Sequence, residues 1–119
     1  MNLNTVYLTE GSKFSVFIGE WAQMMGIAVA SYNYKPSEDQ LPDGLLLINE
    51  NQDIRKDMHE IHSHFDTKHI PTQKIDLNGT LQVAINNFKM WVESNQCQEV
   101  LIIGDDALVK ALKNNGVVI

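Results

Sequence analysis

Leu45-Leu46-Leu47-Ile48 is a run of four large aliphatics set between a turn pair, Asp43-Gly44, and the polar Asn49-Glu50. A strand covered on one face alternates apolar and polar residues. An unbroken apolar run of this length, bounded by turn signals, predicts a strand covered on both faces. A helical pattern follows at once, from Asp53 to Lys68, with Ile54, Met58, Ile61 and Phe65 on one stripe. A buried strand feeding a helix is the opening half of a βαβ unit. Residues 44–49 are therefore expected as a central strand of a parallel sheet, and Glu99-Val100-Leu101-Ile102-Ile103-Gly104 reads as a second strand of the same kind.

The other elements are arranged around these two. Thr5-Val6-Tyr7-Leu8-Thr9 is β-branched and aromatic, which predicts a first strand. Glu10-Gly11 breaks it, and Ser12 is placed to cap a helix. Phe14, Phe17, Ile18, Trp21 and Met25 form one face of that helix, and Gly26 supplies its stop. Residues 27–32 read as a second strand, whose small alanines suggest close approach by a helix. Residues 33–42 form a long polar loop carrying Pro36 and Pro42. This loop offers no helix to cross between strands 27–32 and 44–49. Either the two are parallel with a lost or shortened helix, the preferred reading, or strand 27–32 is an antiparallel edge. Strand 72–77 alternates and is expected to be less buried. A helix after Asn78-Gly79-Thr80 presents Leu81, Ala84, Ile85, Phe88, Trp91 and Val92. A last helix, 107–113, begins after Asp105-Asp106, and Val117-Val118-Ile119 ends the chain. The expected fold class is α/β: a three-layer sandwich about a mostly parallel, five-stranded sheet, with residues 1–119 as a single domain.

Composition excludes several functions. The net charge is −6, and the nine Lys and Arg residues are scattered. No basic stripe is present of the kind that would bind a phosphate backbone, so no nucleic-acid partner is expected. No apolar run reaches the roughly 20 residues of a membrane span, and no membrane partner is expected. The first residues lack a charged and then apolar leader pattern, and the single cysteine, Cys97, rules out an internal disulfide framework. A cytoplasmic location is expected.

Ligands of open α/β sheets bind outside the carboxyl ends of the strands, where strand order reverses. With strand 5–9 placed beside strand 44–49, that crevice collects Thr9-Glu10-Gly11-Ser12, Asn49-Glu50-Asn51 and Asp76 to Thr80. The candidate ligand-binding residues are Thr9, Gly11, Ser12, Asn49, Glu50 and Asn51. Helix N-termini there would offer free N–H groups to an anion. Tyr32 and Tyr34 are candidates to line a pocket at the start of the long loop. His59, His62 and Asp66 share a helical stripe at metal-ligand spacing, but the stripe lies away from the carboxyl edge and reads as a solvated flank. No metal site is expected. Cys97 reads as an inert thiol, and the sequence contains no nucleophile elbow or Walker sequence.

The order of elements resembles the Rossmann-like family of molybdenum cofactor carriers, within the wider lysine-decarboxylase-like and DprA-like nucleotide-binding group. The resemblance runs through Asp43-Gly44-Leu45-Leu46-Leu47-Ile48, Lys74-Ile75-Asp76-Leu77, Trp91 and Val100-Leu101-Ile102-Ile103-Gly104. It implies a Rossmann-like or flavodoxin-like sheet and a nucleotide-like ligand. The family's Gly-Gly-x-x-Gly loop is reduced here to Gly11, and its Gly-Gly-Thr is replaced by Glu50-Asn51-Gln52-Asp53, so the phosphate loop is degenerate. Deoxyribosyltransferase-like and TIR-like folds share the outline. The expected function is a small-ligand-binding module with no cofactor specified. The alternative is a non-catalytic domain that self-associates as a homo-oligomer or binds a partner protein, with Val16, Val83 and Met90 off their helices' main apolar faces. A third is a hydrolase or glycosyl-transferring enzyme using Glu50.

Overall fold

The computed structural model describes residues 3–9, 12–33, 41–49, 56–76 and 81–104. Within them the elements are β1 (Thr5–Leu8), α1 (Lys13–Met24), β2 (Ala28–Ser31), β3 (Gly44–Asn49), α2 (Lys56–Thr67), β4 (Thr72–Asp76), α3 (Leu81–Ser94) and β5 (Glu99–Gly104). The expected helix over 107–113 and the terminal 117–119 lie outside the described residues, as does the start of the pattern expected from Asp53.

All four strand pairings are parallel, and the order is β2-β1-β5-β3-β4. The alternation of side chains sorts the core into two layers. Val6, Leu8, Leu46, Ile48, Val100 and Ile102 meet Phe14, Ile18, Trp21 and Ala22 of α1 and Val92 of α3 on one face. Leu45, Leu47, Leu101 and Ile103 meet Met58, Ile61 and Phe65 of α2 on the other. The sheet is thus the middle of three layers. Each fully buried aliphatic contributes about 1.5–3 kcal/mol, and Leu45, Leu47, Val100 and Leu101 have no accessible surface at all.

The order corrects the expectation that strand 5–9 lies beside strand 44–49: β5 separates them. The reason is that β5 is buried on both faces along most of its length, which only an interior position provides. In the flavodoxin order the last strand would stand at an edge. The alternating β4 and the small-residue β2 take the edges instead. α1 does approach β2, as expected, although the alanines are not buried beneath it. Ala28 is exposed and Ala30 only half-buried, as an outermost strand allows. Strands β2 and β3 are parallel and lie on opposite sides of β1 and β5, which settles their direction as preferred. Residues 34–40 of the connection, where a lost or shortened helix is expected, lie outside the described residues. At the two ends of their connection, Tyr32 is buried in the α2-side core and Leu41 packs against it.

The three helices among the described residues end alike. Gly26, at φ 73°, donates its N–H to Gln23, and Ile27 donates to Ala22, the paired bonds of a Schellman stop. His69 (φ 59°) and Gln96 (φ 54°) occupy the same left-handed position after α2 and α3, with Ile70 donating to Phe65 and Cys97 to Val92. No helix among the described residues is long and apolar enough to cross a membrane.

Candidate functional site

The strands end at Ser31, Leu8, Gly104, Asn49 and Asp76 across the sheet, with Gly104 two residues past the level of Leu8. From β1 the chain turns through α1 toward β2; from β3 it turns through α2 toward β4, on the opposite face. The divergence lies over β5, so the crevice expected at the carboxyl edge is centred on Gly104. Its two rims, at Thr9 and at Asn49, are separated by two strand spacings, roughly 10 Å.

The β1 rim is a chain of hydroxyls. Ser12 adopts an extended backbone (φ −108°, ψ 149°) and caps α1. The Ser15 N–H donates to Ser12 Oγ at 3.0 Å, and Ser12 Oγ donates to Ser15 Oγ at 2.7 Å. Thr9 Oγ1 lies 3.4 Å from Ser15 Oγ. Ser15 is the buried polar residue of the described core; sequence reasoning missed it. Its signal was its place three residues after a capping serine on an otherwise apolar side of the helix. The hydroxyls hold the first turn of α1 in a fixed position, and Lys13 stands exposed at its start.

Phe14 fixes that turn from the other side. Its ring lies against Gly104 so closely that a β-carbon on Gly104 would sit 2.6 Å from Cε2 and Cζ. The glycine is required by space alone. Phe14 is fully buried, so the turn carrying Ser12 and Ser15 is keyed to the end of the central strand.

Of the expected site residues, the structure places Thr9 and Ser12 together on this rim. Asn49 ends β3 in register with Asp76 of β4. Gly11, Glu50 and Asn51 lie outside the described residues, as does Tyr34. Tyr32 belongs to the core, edge-on to Phe65 with ring centroids 6.0 Å apart. An open groove of about 380 Å³ runs from Thr9, Ser12 and Ser15 between α1 and β2, past Val16, Gly19 and Val29. The sequence did not reveal it, because it depends on β2 being the bare edge of the sheet.

The opposite, amino edge is closed by packing. Asp43 accepts the N–H groups of Gln98 at 3.2 Å and Glu99 at 3.3 Å, tying β3 to β5. A β-carbon on Gly44 would sit 2.8 Å from Trp91 and 3.0 Å from Cys97 Sγ. Burial, and secondarily the charge of Asp43, push the Cys97 thiol pKa above its ordinary 9.0, as expected for an unreactive thiol. On α2, His59 and Asp66 are exposed and His62 is half-buried. Among the described residues no group of three His, Cys, Asp or Glu side chains is placed to hold a metal ion.

No protein-family model matches the sequence, and no curated protein matches it. The crystal structure of a candidate molybdenum carrier protein from Syntrophus aciditrophicus SB shares the fold. Its TM-score is 0.74 at 14% identity, over 93% of this chain and 87% of that one. A likeness at this identity shows the fold alone: a Rossmann-like parallel α/β sheet.

Proposed function

We propose that this protein is a small-ligand-binding module that takes an anionic, nucleotide-like ligand over the carboxyl end of β5. Thr9, Gly11 and Ser12 form one rim of the site, and Asn49, Glu50 and Asn51 the other. The observation that carries this reading is the divergence of α1 and α2 to opposite faces above Gly104, with the hydroxyl chain of Thr9, Ser12 and Ser15 on the rim. Sites in parallel α/β sheets sit at this kind of divergence. The start of α1 adds the positive end of a helix dipole. Without a glycine-rich loop, side-chain hydroxyls and amides replace backbone N–H groups as the donors. The fold shared with a candidate molybdenum carrier makes molybdate a second ligand to test, since an oxyanion needs the same donors.

A thermal-shift series tests it. A ligand that binds only the folded state raises Tm by mass action. Nucleotides and molybdate are titrated against the wild-type chain and against Thr9→Val, Asn51→Ala and Glu50→Gln, each compared with its own unliganded Tm. The expected result is a ligand-dependent rise that Thr9→Val and Asn51→Ala reduce. No rise with any ligand, or a rise unaffected by all three substitutions, would refute the site. Retained binding in Glu50→Gln with loss of any observed turnover would favour the enzyme reading. The interaction-domain reading has its own support in the exposed Val16 and Val29, which line the groove.

A further inference from the structure

We propose that the outward face of α1 is a homodimer interface, in which α1 packs antiparallel on α1 of a second copy and Lys13 of each chain meets Glu20 of the other. This goes beyond ligand binding and does not depend on it.

The inward face of α1 is accounted for by Phe14, Ile18, Trp21 and Ala22, all buried. At 100° per residue, Val16 lies at the centre of the opposite face, and it is 63% exposed. A β-branched residue there lowers helix propensity and lies outside the core, so core packing does not place it. Lys13 precedes it by three residues and Glu20 follows it by four, which puts all three on one outward stripe. Lys13 also sits at the positive end of the helix dipole, where a cation is unfavourable. Neither Lys13 nor Glu20 forms an ion pair with the described residues.

The stripe is complementary to itself in one orientation. A closed dimer has a two-fold axis, and its interface is isologous. An axis crossing α1 midway between Lys13 and Glu20 passes between Val16 and Phe17. Antiparallel helices then place Lys13 against the partner's Glu20 twice over, and the two Val16 side chains meet at the axis. A parallel arrangement would set Lys13 on Lys13 and Glu20 on Glu20. The recess beside α1 favours close approach: Gly19 and the exposed Val29 line a groove that continues the surface of Val16. This self-complementarity selects a second copy over an unrelated partner, for which the alternation of opposite charges about a central valine has no reason.

Sedimentation equilibrium of the full chain across a dilution series, with circular dichroism to confirm folding, tests the proposal. The wild type is expected to show a concentration-dependent dimer. Val16→Asp should abolish it, and Lys13→Glu should raise the dimer Kd about tenfold or more by setting like charges at both pairs. Lys13→Glu also improves the helix dipole, so a weaker dimer in a chain of equal or higher Tm excludes unfolding as the cause. The exchanged pair, Lys13→Glu with Glu20→Lys, should restore the dimer. A wild type that stays monomeric at every concentration overturns the proposal and leaves this face to a different occupant. A dimer insensitive to Val16→Asp, or a charge exchange that restores nothing, overturns it equally.

Discussion

Replacing Gly104 by alanine probes the contact that positions the rim of the site. The added β-carbon would lie 2.6 Å from Phe14 Cε2 and Cζ and 3.1 Å from Cδ2. Carbon atoms pack at about 3.5–4.0 Å, so the ring must retreat by roughly 1 Å. It has little space to do so, because Phe14 is 1% exposed and enclosed by Val6, Ile18 and their neighbours in one core layer. Either the ring leaves its rotamer, at about 0.5–1.5 kcal/mol, or α1 lifts and loosens the layer, and overpacking of this kind costs about 1–3 kcal/mol in total. The expected loss is about 2 kcal/mol, read in urea denaturation as a lower midpoint at unchanged slope. For a chain of this length, Tm should fall by roughly 6–10 °C. Shortening the ring relieves the clash, so Phe14→Leu with Gly104→Ala should be less destabilised than the two single changes together, by about 1 kcal/mol or more. A Gly104→Ala chain within about 0.5 kcal/mol of wild type, or strict additivity in the double variant, would refute the account of how α1 is held.

Gln96→Gly removes a side chain from the left-handed position ending α3, and calorimetry should show a gain of roughly 0.5–1 kcal/mol. Cys97 should resist iodoacetamide in the native protein and react fully once denatured, as mass spectrometry would show. Its pKa is raised in the folded chain, so the stability it contributes is complete below the ordinary 9.0 and declines as pH rises toward the folded value. His62 shows the opposite linkage. Burial first, and the charge of Lys74 second, hold its pKa below 6.5. The unfolded chain therefore takes up the proton first, stability falls as pH drops below 6.5, and His62→Gln should flatten that part of a stability–pH curve.

The parallel sheet was legible because burial on two faces leaves an unbroken apolar run. Leu45 to Ile48 and Val100 to Ile103 showed it directly, and both runs are buried. The same signal contained the strand order. Two runs that require cover on both sides belong inside the sheet, while the alternating 72–77 and the small residues of 27–32 suit its edges. Placing strand 5–9 beside 44–49 followed a common topology in preference to that burial argument. Helix ends were legible at Ser12 and Gly26, whose chemistry is local. His69 and Gln96 were not, since only the third dimension shows a non-glycine residue at positive φ. The candidate site follows in outline from the rule of carboxyl edges. The role of Ser15 and the Phe14–Gly104 contact were not, because each joins residues that no periodicity links. The groove beside α1 was hidden for the same reason: Val16 and Val29 are seen to line one groove only once β2 is known to be an edge.

The most direct test of the central claim is amide chemical-shift mapping of the isotope-labelled chain during titration with a nucleotide and, separately, with molybdate. A ligand held over the end of β5 should perturb Thr9, Ser12, Gly104 and residues 49–51, and leave the amino edge at Asp43 and Gln98 unchanged. Perturbations confined to other surfaces, or none with either ligand at saturating concentration, would contradict the assignment of a ligand site to the carboxyl edge.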